Sequence, residues 1–120
     1  MTDNEELWRL EEMLWTSGRE SARVNTASDG IVVMPYPSGI LQGEGIWSDP
    51  KVNTGWRLVE LADRSATRRG DVAVLAYRVR AEKPGVPIHE ALCTSTWLND
   101  AGTWHRLVHH QSPVDTPPRA

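Results

Sequence analysis

A chain of 120 residues, 39% of them hydrophobic, is the size of one domain built on one core. Its 13 Lys and Arg stand against 16 Asp and Glu, a formal net charge of −3, which offers no basic field to nucleic acid or to an anionic membrane. The one cysteine, Cys93, excludes an intrachain disulfide and a cysteine metal cluster, and no apolar run approaches the ~18 residues of a membrane span, so the expectation is a soluble, cytoplasmic protein without cofactor or metal.

In chain order, residues 3 to about 15 are predicted as a helix. Asp3 or Asn4 can cap it, Glu5 and Glu6 favour its positive end, and Leu7, Trp8, Leu10, Leu14 and Trp15 form a wide apolar stripe. This acidic, amphipathic start is unlike the basic, then uniformly apolar start of a secretory signal. Gly18 interrupts the pattern, and residues 19 to 26 continue it for a turn or two before Ser28-Asp29-Gly30 stops it. Ile31 to Met34 is a β-branched strand that Pro35 ends. Ile40 and Leu41 are extended, and residues 42 to 50 read as loop with at most a short helical turn.

From Trp56 onward the pattern is that of an antiparallel meander: extended runs over 56–66, 72–81, 88–98 and 104–111, separated by turns at Arg69-Gly70-Asp71, Lys83-Pro84-Gly85 and Asn99 to Gly102. A helix followed by long strands describes an α+β domain in which a strongly curved sheet wraps a helix and leaves a concavity. The domain is expected over 1–113, with a flexible tail at 114–120.

The segments Ala91-Leu92-Cys93-Thr94-Ser95-Thr96-Trp97, Gly102-Thr103-Trp104 and Leu107 to Pro113, with Leu10-Glu11 and Leu14-Trp15 in the helix and Gly70 to Arg78 in the sheet, together resemble the NTF2-like superfamily, in particular its DUF4440 and SnoaL-like branch. The resemblance spans about residues 5 to 113. It implies a cone-shaped, cystatin-like α+β barrel with a deep pocket, and a homodimer formed through the outer sheet face. It leaves function open, because the superfamily mixes isomerases, cyclases and dehydratases with binding and assembly domains.

Glu11 is the sharpest single residue, since it lies inside the apolar stripe and so faces the core. It is either a buried hydrogen-bonding anchor between helix and sheet or a pocket base. Alternation places Cys93, Ser95 and Trp97 on one face, and the turn at 99–102 would set Trp97 opposite Trp104 and Cys93 opposite Val108. The last strand then offers either Arg106, Val108 and His110 or His105, Leu107, His109 and Gln111 to the pocket, and a bulge would exchange the sets. The candidate ligand pocket is Glu11, Trp15, Tyr77, Ser95, Trp97, His109, His110 and Gln111, with Glu11 as candidate base. Adjacent His109 and His110 point to opposite faces and cannot share a metal. The first expectation is a binding domain for a small, mostly apolar molecule. The alternatives are a SnoaL-like isomerase or cyclase using a pocket carboxylate or His, and a dimerisation or assembly domain.

Overall fold

The computed structural model describes residues 4–52 and 54–114. Helix α1 (Asn4–Thr16) buries Leu7, Trp8, Glu11, Leu14 and Trp15, a spacing that keeps one face of the helix inward. The possible cap Asp3 and the tail from residue 115 lie outside the described residues. Helix α2 (Arg19–Val24) follows, then β1 (Thr26–Val33), β2 (Ile40–Gln42), the short α3 (Glu44–Ser48), β3 (Leu58–Arg69), β4 (Val72–Glu82), β5 (His89–Asp100) and β6 (Thr103–Pro113).

The six strands form one sheet in the order β2-β1-β6-β5-β4-β3. Helix α1 packs on the inner face of the long meander, while α2, α3 and the β1–β2 hairpin cover its other end as a cap. The core joins the helix stripe to Leu75, Tyr77, Val79, Cys93 and Trp97 of the central strands. Arg19 ties the cap down by donating to the carbonyls of Trp47 (3.2 Å), Asp49 (2.9 Å) and Val52 (2.9 Å). No helix among the described residues is long and apolar enough to cross a membrane.

Three expectations change. Strand β1 begins at Thr26, so the Ser28-Asp29-Gly30 segment lies inside a strand that pairs with β6 in parallel, and the sheet is mixed. The turn between β5 and β6 is only Ala101-Gly102, both with positive φ (53° and 89°), as a two-residue hairpin requires. Trp97 therefore pairs with Arg106 and Cys93 with Gln111, rather than with Trp104 and Val108.

The turn accounts for the two-residue shift at Trp97, and a second local cause adds one residue at Cys93. Thr96 pairs with Val108 and Trp97 with Arg106, so Leu107 is an extra residue in β6. Opposite it, β1 shifts register between Thr26 and Ile31. The two irregularities meet at Gly30, where a Cβ would sit 3.0 Å from the Ala27 carbonyl oxygen and 3.3 Å from that of Leu107. Only glycine fits without displacing backbone.

Candidate functional site

The bulge at Leu107 lets β6 turn residues of both parities inward. Arg106 precedes it in the chain, His109 and Gln111 follow it, and all three face inward beside Ser95 and Trp97 of β5. Neither of the two alternating sets is right as a whole, because a bulge exchanges them midway.

Glu11 sits at the centre and is 0% exposed. Four donors converge on its carboxylate: Tyr77 Oη at 2.5 Å, Ser95 Oγ at 2.6 Å and Arg106 Nη1 at 3.0 Å on Oε2, and Trp97 Nε1 at 2.8 Å on Oε1. A buried carboxylate needs such partners, and with four donors it acts purely as an acceptor.

The direction of the surrounding hydrogen bonds follows from that. Ser95 spends its one proton on Glu11, so at 2.7 Å it must accept from His109 Nδ1–H. His109 Nε2 is then bare and accepts from Gln111 Nε2 at 3.0 Å, while Gln111 Oε1 accepts from His89 Nε2 at 2.9 Å. A second chain runs from Trp15 Nε1 to Tyr77 Oη at 2.9 Å and on to Glu11. His109 Nδ1 is 3.6 Å from Glu11 Oε2, too far for a direct bond, and Ser95 bridges them.

Protonation states agree with this polarity. Burial, followed by the charge of Arg106 and then by His110 and His89, holds His109 well below the usual histidine range, so it is neutral. Burial and then the charge of Glu11 push the Tyr77 phenol well above its usual value, which keeps it a donor. The same two causes push the Cys93 thiol up to about 12, so it is an inert buried thiol.

A cavity opens between this cluster and the cap. Leu14, Trp15, Ala22, Met34, Ile46 and Trp47 supply apolar walls, and Arg106, His109 and Gln111 form one polar wall. The space at its centre is about 40 Å³, room for roughly three water-sized groups. Trp15, Met34 and Gln111 also line a wider groove of about 370 Å³ that continues to Trp56, Ile88 and His89. His89 stacks on Trp56 with centroids 5.7 Å apart and lies 5.8 Å from Trp15.

Of the sequence-derived candidates, Trp15, His109 and Gln111 line the cavity. Glu11, Tyr77, Ser95 and Trp97 are not among its lining residues and belong to the network behind that wall. His110 pairs with Thr94 on the outer face and is exposed, so it is not part of this site; alternation puts it opposite His109. Cys93 faces inward, which also separates it from His110. Arg106 was visible only as a member of one alternative set, and His89, Met34 and Trp47 carried no pattern that marked them.

No family model matches the chain, and no curated protein matches it in sequence. Solved structures do resemble it. A ketosteroid isomerase-like protein from Parabacteroides distasonis superposes with a TM-score of 0.81 at 16% identity, covering 95% of this chain and 89% of its own. An NTF2-like protein from Cytophaga hutchinsonii gives 0.76 at 15% identity, with 95% and 100% covered. The association domain of C. elegans CaMKII gives 0.70 at 15%, with 91% and 94% covered. The fold is NTF2-like: an N-terminal helix against a curved, unclosed six-stranded sheet.

Proposed function

We propose that this domain, residues 1–113 and of the DUF4440/SnoaL-like kind, binds a small, mostly apolar molecule in the cavity between cap and sheet. The observation that carries the reading is the cavity itself, largely apolar, with Arg106, His109 and Gln111 gathered on one wall and the two threonines Thr26 and Thr54 as its other polar lining. A few convergent polar groups on an otherwise apolar wall are the usual make-up of a ligand site.

Binding is favoured over proton abstraction because the two candidate bases are occupied. Glu11 is taken up by four donors, and both nitrogens of His109 are engaged. No carboxylate lines the cavity among the described residues. Proton abstraction would require a free base, which this arrangement does not offer among the described residues.

The test is a filling substitution. Ala22→Leu adds three carbons to the cavity wall and should abolish saturable binding of small aromatic probes, read by calorimetry, while far-ultraviolet circular dichroism stays unchanged. Undiminished binding to the Ala22→Leu protein would move the site elsewhere.

A second reading concerns assembly and is compatible with the first. The outer sheet face carries Leu92, 57% exposed and paired with Arg78, and farther along it Ala76 with Thr94 and Val74 with Thr96, and association domains are among the structures that share this fold. We propose self-association, as a homodimer, through that face.

A further inference from the structure

The hydrogen-bonding capacity left over at the polar wall of the cavity is mostly donor. Glu11 is the terminal acceptor of every chain that reaches it, the one acceptor nitrogen of His109 is filled by Gln111, and Ser95 and Gln111 Oε1 each accept from the next donor outward. Donors remain. The guanidinium of Arg106, whose side chain is 12% exposed, makes one hydrogen bond among the described residues, to Glu11, and has four further N–H groups. Gln111 uses one of its two amide protons on His109. Farther out, Trp56 lines the groove and buries its indole N–H with no partner among the described residues. On the acceptor side, the Thr26 hydroxyl, whose proton goes to the Ala22 carbonyl at 2.8 Å, and the second lone pair of Gln111 Oε1 stay open, and the Thr54 hydroxyl can serve either way.

Charge narrows the class further. Arg106 is the one formal charge on the cavity wall among the described residues, and Glu11 directly behind it already neutralises it at 3.0 Å. A ligand carboxylate at Arg106 would bring a second anion to a single buried cation, at the cost of its own desolvation and of repulsion from Glu11. A neutral acceptor meets the same donors without either cost.

Resting on the reading of this cavity as a binding site, we infer that its ligand is a neutral molecule. It presents a carbonyl-type acceptor (ketone, aldehyde, ester or amide) to Arg106 and extends an apolar body past Trp15 and Met34 toward Trp56. The inner space of about 40 Å³ admits the head alone, and the body occupies the groove.

Three isosteric probes separate the head group from the body: 4-phenylbutan-2-one, 3-phenylpropanoate and isopentylbenzene, titrated into the intact protein by calorimetry. The ketone should bind at least tenfold more tightly than either of the others, and only the ketone should shift the Arg106 Nε–H resonance. Equal or tighter binding of the propanoate overturns the charge argument while leaving a binding site in place. Equal binding of ketone and hydrocarbon, with Arg106 Nε–H unmoved, overturns the donor argument in the same way. No saturable binding by any of the three, up to their solubility, overturns both this inference and the binding function it rests on.

Discussion

Glu11 holds α1 to the sheet by being the place where four donors from three strands end. Removing it strands a half-buried guanidinium and leaves the Tyr77, Ser95 and Trp97 donors unmatched, and breaking a buried ion pair from one side costs up to about 3–5 kcal/mol. That is a large share of the about 5–15 kcal/mol that holds an ordinary domain together. Glu11→Ala should therefore lower the urea midpoint sharply or unfold the chain, and Glu11→Gln should do nearly as much, because its amide turns a donor toward donors. A wild-type midpoint for Glu11→Ala would sink the anchoring role. His109 makes a separate prediction. It is held neutral when folded but takes a proton near its ordinary value when unfolded, so its contribution is whole above about pH 6.5 and falls below it, by up to about 1.4 kcal/mol per pH unit. Urea midpoints between pH 7.5 and 5.5 should fall more steeply for the wild type than for His109→Gln; parallel slopes would contradict a buried neutral histidine. At this scale the sequence reveals the burial of Glu11, since a carboxylate amid Leu7, Trp8, Leu14 and Trp15 has nowhere else to face. It does not reveal the partners, because they come from strands 66 to 95 residues away.

The elements were legible where periodicity is strong. The helix and the four long strands follow from apolar spacing and turn residues to within a few positions. What periodicity cannot register is an irregularity. One extra residue at Leu107 brings Arg106 to the same side as His109, and no residue type in Trp104 to Gln111 marks the place. Arg106, the one formal charge on the cavity wall among the described residues, was for that reason visible only as a member of one alternative set. Gly30 is the counterpart on β1: its residue type suggests a stop, and in the fold it is a point of close backbone approach. The hairpin joining β5 and β6 gives a clean test of the local geometry. Ala101 has φ of 53°, a left-handed conformation that Asn tolerates better than Ala. Ala101→Asn should stabilise the domain by roughly 0.5–1 kcal/mol. A loss of stability in denaturant titration would mean that the turn is not of this type.

For the whole molecule, a curved sheet with α1 on its inner face and the cap across its end leaves a hollow of mixed polarity between them. Alternation and length anticipated a concavity, and the resemblance of the β5 and β6 segments anticipated its fold. Neither could say that the cap, with Met34, Ile46 and Trp47, supplies half of the walls, since residues 34 to 54 carry little periodic signal. The outer face belongs to the same scale. If self-association uses it, sedimentation should give twice the 13.4 kDa chain mass, and Leu92→Glu should return the mass of a single chain with an unchanged circular dichroism spectrum. A monomer in the wild type would remove that reading and leave the cavity untouched. The most direct measurement of the central claim uses the chain's six tryptophans as reporters. In 15N-labelled protein titrated with 4-phenylbutan-2-one or its hydrocarbon isostere, the indole N–H signals of Trp15 and Trp47, which line the cavity, should move saturably, and those of Trp8 and Trp104, which do not, should stay in place. Signals of Trp15 and Trp47 that remain fixed at the solubility limit of both probes would contradict a ligand site between cap and sheet.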